Sequence, residues 1–106
     1  MILVDTSIWI EWLNGKQRPD PELLESVVTC GPTVQEVLQG LRETAGARDF
    51  RSSFLSFPLL LDPIPLEIYV SAAELFRLGR IRGYTVRSSV DCLIAAIAIR
   101  TGAAVA

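Results

Sequence analysis

Three carboxylates stand out by their places along the chain: Asp5, Glu36 and Asp91. Asp5 ends the apolar run Met1 to Val4 and is followed at once by two hydroxyls, Thr6 and Ser7. A short continuous apolar run suits a strand buried on both faces of a parallel sheet. Asp5 then falls at the carboxyl edge of that sheet, where open α/β folds collect ligands. An aspartate beside Trp9 and Trp12 is costly to bury unless something pairs with it. The plainer alternative is a helix cap shared with Thr6 and Ser7. Glu36 and Asp91 have equally local explanations. Thr33-Val34-Gln35-Glu36 has the form of a capping box, with the glutamate reaching back to the Thr33 backbone. The apolar stripe Val34, Val37, Leu38 and Leu41 places Glu36 on the opposite side of that helix. Ser88-Ser89-Val90-Asp91 repeats the form with Asp, on a helix that Leu93, Ile94, Ile97 and Ile99 make apolar on most faces. Asp91 is therefore expected to be partly buried, with Arg87 or a metal ion as its partner.

The chemistry open to such residues is narrow. The chain has no histidine, which excludes His-ligated zinc, serine–histidine triads and imidazole acid–base catalysis. Two carboxylates about 4 Å apart repel by roughly 4 kcal/mol at an effective dielectric near 20, so a converging cluster needs protons or a cation. All-oxygen ligands favour a hard ion, Mg²⁺ or Mn²⁺. Such an ion activates a bound water and offsets charge developing on a phosphate oxygen. Residues 77–100 hold Arg77, Arg80, Arg82, Arg87 and Arg100 against Asp91 alone, which suits a polyanion, although a solvated basic helix end explains it as well. If the acids converge, hydrolysis of a nucleic acid is the natural reaction. Spacing alone does not establish that convergence.

The elements that must position these groups follow from the hydrophobic pattern. After the first strand, Ile8 to Leu13 reads as a mostly buried helix stopped near Gly15, and Asp20-Pro21 starts another. Val27 to Cys30 suits a second strand broken by Gly31 and Pro32, with a helix from Thr33. A helix is expected from Ala45 to Phe57, a third strand at Leu59-Leu60-Leu61, and a helix from Leu66 to Arg80. Ser88 or Ser89 opens the last helix, Gly102 ends it, and Ala103 to Ala106 begins one more strand. Strands alternating with helices argue for a three-layer α/β domain around a parallel sheet.

Bulk properties agree. With 106 residues, 50% hydrophobic and 21% charged, the chain is expected to form one globular domain. No apolar run is long enough to span a membrane, and no basic segment precedes Asp5, so neither an anchor nor a signal peptide is expected and the cytoplasm is the default compartment. Cys30 and Cys92 lie in apolar surroundings and are expected to be buried free thiols.

Read as motifs, these segments resemble a known family. Met1-Ile-Leu-Val-Asp-Thr-Ser-Ile-Trp-Ile10 is similar to the opening of PIN-domain proteins, specifically the VapC toxins of type II toxin–antitoxin pairs. Thr33 to Gly40 resembles that family's second acidic motif and Arg87 to Ala98 its third, in the same order. The resemblance implies an α/β/α sandwich with a central, mainly parallel sheet and Mg²⁺- or Mn²⁺-dependent endoribonuclease activity. It implies an RNA substrate, a homodimer, and a small antitoxin protein bound across the active-site groove. Carried over by position, Asp5, Glu36 and Asp91 match the acids around the metal, and Thr6 or Ser7 the hydroxyl that orders the first. Family members usually carry a fourth acid in a segment after the third motif. No acid follows Asp91 here, so residues 1–106 are expected to be one PIN-like domain without that closing segment. A catalytically weak module that binds RNA or an antitoxin is the alternative. A phospho-accepting receiver domain needs a lysine near the site, and the only one, Lys16, falls in a loop. A haloacid-dehalogenase-type phosphatase wants a second Asp where Ser7 stands.

Overall fold

The computed structural model describes residues 1–83 and 88–106. In chain order these form β1 (Ile2–Leu3), α1 (Thr6–Leu13), α2 (Pro21–Leu24), β2 (Val27–Val28), α3 (Gly31–Gln39), α4 (Ala45–Phe54), α5 (Leu66–Ile81), α6 (Ser89–Thr101) and β3 (Ala104–Val105). The strands form one parallel sheet in the order β2-β1-β3, with Ile2 opposite both Val27 and Ala104. The run Leu59-Leu60-Leu61, expected as a strand, contributes a single parallel bridge between Leu59 and Thr29. Leu59 is 46% exposed, while Leu60 and Leu61 pack against the core from outside any strand.

Alternation along these short strands divides the core in two. Leu3 and Val28 face one way and pack with Ile68 and Ala72 of α5 and Ile94 and Ile97 of α6. Val4 and Val27 face the other way, against Trp9 of α1, Val37 of α3 and Phe54 of α4. Successive residues of a strand point to opposite sides, so each apolar run feeds both cores and the fold is an α/β/α sandwich. The helix of Ile8 to Leu13 is less buried than its sequence suggests: Trp9 is enclosed, but Ile10 is 40% exposed.

Local signals set most element ends. The Asp20 side chain accepts from the Glu22 N–H at 3.0 Å to start α2. Gly102, at φ 72°, closes α6 in the left-handed conformation that glycine adopts without steric cost. Gly31 and Pro32, expected to separate β2 from a helix at Thr33, instead begin α3. Proline fits the first helical turn because its missing N–H would have no intrahelical partner there. Helix α4, expected to reach Phe57, ends at Phe54. Cys30 and Cys92 are buried and free. Among the described residues, no helix is long and apolar enough to cross a membrane.

Candidate carboxylate site

Asp5 leaves β1 at its carboxyl end and is the N-cap of α1. One oxygen, Oδ2, accepts from the Ser7 backbone N–H at 3.1 Å and from the Ser7 hydroxyl at 2.6 Å. The Asp5 N–H donates to the Ala106 carbonyl at 2.9 Å, which ties this corner to the end of β3. Helix cap and sheet-edge ligand are thus compatible roles, because capping occupies one oxygen and leaves the other.

Glu36 is not the second half of a capping box. The helix starts at Gly31 with Cys30 as its N-cap, and this places Thr33 inside the first turn. Thr33 is fully buried, with its hydroxyl 3.3 Å from Cys30 Sγ. Glu36 instead turns toward α1, where Thr6 Oγ1 donates to its Oε1 at 3.0 Å. The two hydroxyls after Asp5 therefore divide their work. Ser7 holds Asp5, and Thr6 reaches across thirty residues of sequence to hold Glu36.

Asp91 lies in the first turn of α6, where Ser88 Oγ accepts from the Asp91 N–H at 3.2 Å. Its side chain is exposed, contrary to the expectation of partial burial. Its neighbours Val90 and Cys92 pack on the core, and Asp91 shares a helix face with buried Ile94 and Ala98, so the exposure is local to the Asp91 side chain. Because α6 leads back into a strand parallel to β1, its N-terminal end lies at the same sheet edge as Asp5.

All three acids offer hard oxygen donors, which suit Mg²⁺ or Mn²⁺ in kind. Among the described residues, however, no three Asp, Glu, Cys or His side chains are grouped closely enough to hold one ion. Asp5 and Glu36 are linked through adjacent residues of α1, while Asp91 is held on a separate helix. Arg87, the expected partner of Asp91, lies outside the described residues. Part of the basic stretch is already committed: Arg77 pairs with Glu74 at 3.3 Å, Arg100 pairs with Glu67 at 2.7 Å, and Arg80 sits over the Phe76 ring.

A cavity of about 560 Å³ opens beside Glu36, between Gln35 and Gln39 of α3, Tyr69 of α5, and Val90 and Leu93 of α6. Sequence reasoning did not select Gln35, Gln39 or Tyr69. The two glutamines flank Glu36 at positions i and i+4 of one helix face, which was a legible signal. Tyr69 gave none, because its place depends on how α5 approaches α3. A larger hollow of about 740 Å³ lies between α1, α3 and α4, among Trp12, Leu41 and Phe50, and none of the three acids lines it.

Comparison with known proteins agrees with this architecture. The PIN domain family model matches residues 2–106. A VapC ribonuclease of Mycobacterium bovis is 33% identical over 111 aligned positions, covering 97% of this chain and 82% of the relative. Ribonuclease VapC11 of Mycobacterium tuberculosis matches with the same identity and coverage. Among solved structures, FitAcB from Neisseria gonorrhoeae superposes with a TM-score of 0.67, covering 99% of this chain and 85% of that one, at 18% identity. At that identity the likeness speaks to the fold. The chain belongs to the PIN-domain family, on its VapC branch.

Proposed function

We propose that this protein is an endoribonuclease toxin of a toxin–antitoxin pair that cleaves RNA phosphodiester bonds at Asp5, Glu36 and Asp91 with Mg²⁺ or Mn²⁺. The observation that carries this reading is the paired support of two acids at one sheet edge: Ser7 on Asp5, and Thr6 on Glu36. A helix cap explains the first hydrogen bond. It does not explain why the next hydroxyl is directed at a carboxylate on another helix. Supporting hydrogen bonds of this kind orient metal-binding carboxylates and fix which oxygen stays available. The relatives named VapC ribonucleases support the same activity.

In this reading Asp5, Glu36 and Asp91 supply the negative charge that holds the ion. A bound divalent ion supplies positive charge against phosphate oxygens and an activated water. Ser7 and Thr6 are positioning residues that keep one oxygen each of Asp5 and Glu36 engaged. Asp91, in the first turn of α6, completes the set from that helix. The partners are an RNA substrate, a cognate antitoxin protein across the active-site groove, and a second copy of the chain. The face suited to that copy is on α5, where exposed Leu66, Val70 and Ile81 fall within an arc of about 60° that also holds Arg77, paired with Glu74. The compartment is the cytoplasm, where such RNA lies.

The test is cleavage of single-stranded RNA by the purified chain with Mg²⁺, with Mn²⁺, and with chelator. Metal-dependent cutting that vanishes in Asp5→Asn and in Asp91→Asn is the expected result. One observation favours a second reading: the absence, among the described residues, of any three acids grouped for one ion. A PIN-like module that binds RNA or an antitoxin without cutting predicts retained binding and no cleavage at any concentration of either ion.

A further inference from the structure

The cavity beside Glu36 contains chemistry that phosphodiester hydrolysis does not use. Gln35 and Gln39 are exposed on one face of α3, one turn apart, with Glu36 between them in sequence. Among the described residues, neither amide has a hydrogen-bond partner in the protein. Tyr69 brings an aromatic ring from α5 and is 47% exposed. Val90 and Leu93 of α6 give an apolar floor. A side-chain amide presents a donor and an acceptor side by side, which matches the edge of a nucleobase in a bidentate pair. Tyrosine rings stack on unpaired bases, and single-stranded RNA is recognised by this combination of stacking and edge hydrogen bonds. At about 560 Å³ the cavity has the size range of small-molecule sites and holds a base with its sugar.

We propose that this cavity is a base-recognition subsite, in which Tyr69 stacks an unpaired RNA base and Gln35 and Gln39 read its edge. The inference rests on the ribonuclease reading for the position of that base, next to a phosphate that would face the ion Glu36 helps to hold. The residues that choose the cutting site are then distinct from those that cut. Neither glutamine carries charge, so the subsite adds discrimination between bases and little to overall electrostatic attraction. A groove for a peptide would be expected to present a continuous apolar or charged lining. Here polar amides stand on one wall and a ring with aliphatic side chains on the others.

Binding and cleavage are measured separately so that the two readings fail independently. For binding, labelled octauridylate carrying U, A, C or G at its centre is titrated onto the full chain in chelator at fixed salt, with fluorescence anisotropy as the readout. The wild-type chain is expected to separate the four probes by about tenfold in affinity, the scale of one bidentate amide pair. Gln35→Ala and Gln39→Ala should shrink that spread. Tyr69→Ala should weaken all four probes by about tenfold, with Tyr69→Phe restoring binding. Equal affinity for the four probes, or a spread that neither glutamine substitution alters, overturns the subsite. For cleavage, the RNA ends made with Mg²⁺ are mapped by sequencing. Cut sites that share a base lost in Gln35→Ala or Gln39→Ala support the subsite. Cutting with no base preference overturns the subsite alone, and no cutting at all overturns the ribonuclease reading while the binding data decide the subsite. Circular dichroism of each variant keeps loss of fold from counting as either result.

Discussion

Thr6 and Ser7 are adjacent in sequence and point to different acids, and this divergence makes their roles separable. In the proposed chemistry Asp5 and Asp91 hold the ion directly, so Asp5→Asn and Asp91→Asn should each remove metal-dependent cleavage while leaving the far-ultraviolet circular dichroism unchanged. Thr6→Val removes the hydroxyl that supports Glu36 at 3.0 Å but keeps the shape of the side chain. Loss of such a supporting contact lowers metal affinity or activity by about 10- to 100-fold. The diagnostic readout is the concentration of Mn²⁺ needed for half-maximal cleavage. It should rise in Thr6→Val, and an unchanged value with a lower rate would remove Thr6 from the positioning role. Excess chelator should stop cleavage, and Mg²⁺ or Mn²⁺ should restore it, because the donors are all oxygen.

At the level of elements, helix ends carry testable weight. Ser88 caps α6 through the Asp91 N–H, so Ser88→Ala should cost about 1 kcal/mol in urea unfolding. Gly102 has φ 72° and open space where a Cβ would stand, so Gly102→Ala should cost roughly 1 kcal/mol from backbone conformation alone. A clash would have made that cost larger. Trp9 poses a different question. Its indole Nε1 is buried with no hydrogen-bond partner among the described residues, and the ring is surrounded by Trp12, Phe54 and Phe57 at centroid distances of 5.0, 4.7 and 5.1 Å. Edge-on contacts with ring faces offset part of the cost of that donor. Trp9→Phe gives up volume but also removes the unpaired N–H, so its cost should stay under about 1.5 kcal/mol. Trp9→Ala leaves the cavity unfilled and should cost about 3–5 kcal/mol by the same measurement. A loss in Trp9→Phe well above about 1.5 kcal/mol would show that the N–H is satisfied.

For the whole molecule, the exposed stripe on α5 makes association the property to measure. Leu66 is 77% exposed, Val70 58% and Ile81 67%, on the same side of α5 as the exposed Arg77 that pairs with Glu74. Sedimentation equilibrium should show a dimer that Val70→Glu converts to a monomer without loss of helix content. A monomeric wild type would move this face out of the proposal. The architecture itself is legible in the sequence. Apolar runs of strand length, Asp20-Pro21, the serine cap at Ser88 and Gly102 are local devices whose effect depends on a few neighbours. The misreadings share one cause, since each concerned a choice that neighbours could not settle. Leu59 to Leu61 has strand composition, yet it meets the sheet at one bridge. Thr33 to Glu36 has capping-box composition, but Pro32 allows the helix to begin earlier and frees Glu36 for Thr6. Asp91 has apolar neighbours in sequence, yet its own side chain is exposed while Val90 and Cys92 beside it pack on the core.

Asp5, Glu36 and Asp91 are candidates from residue type and place along the chain, each with a helix cap as its plainer explanation, and it is the family resemblance that joins them into one proposed site. Which hydroxyl serves which acid, the exposure of Asp91, and the meeting of Gln35, Gln39 and Tyr69 around one cavity depend on helix approach. Those contacts join residues far apart in sequence, and packing of α1, α3, α5 and α6 on a shared sheet creates them. Local pattern records which side chains are available, and the geometry of packed layers selects which of them act together.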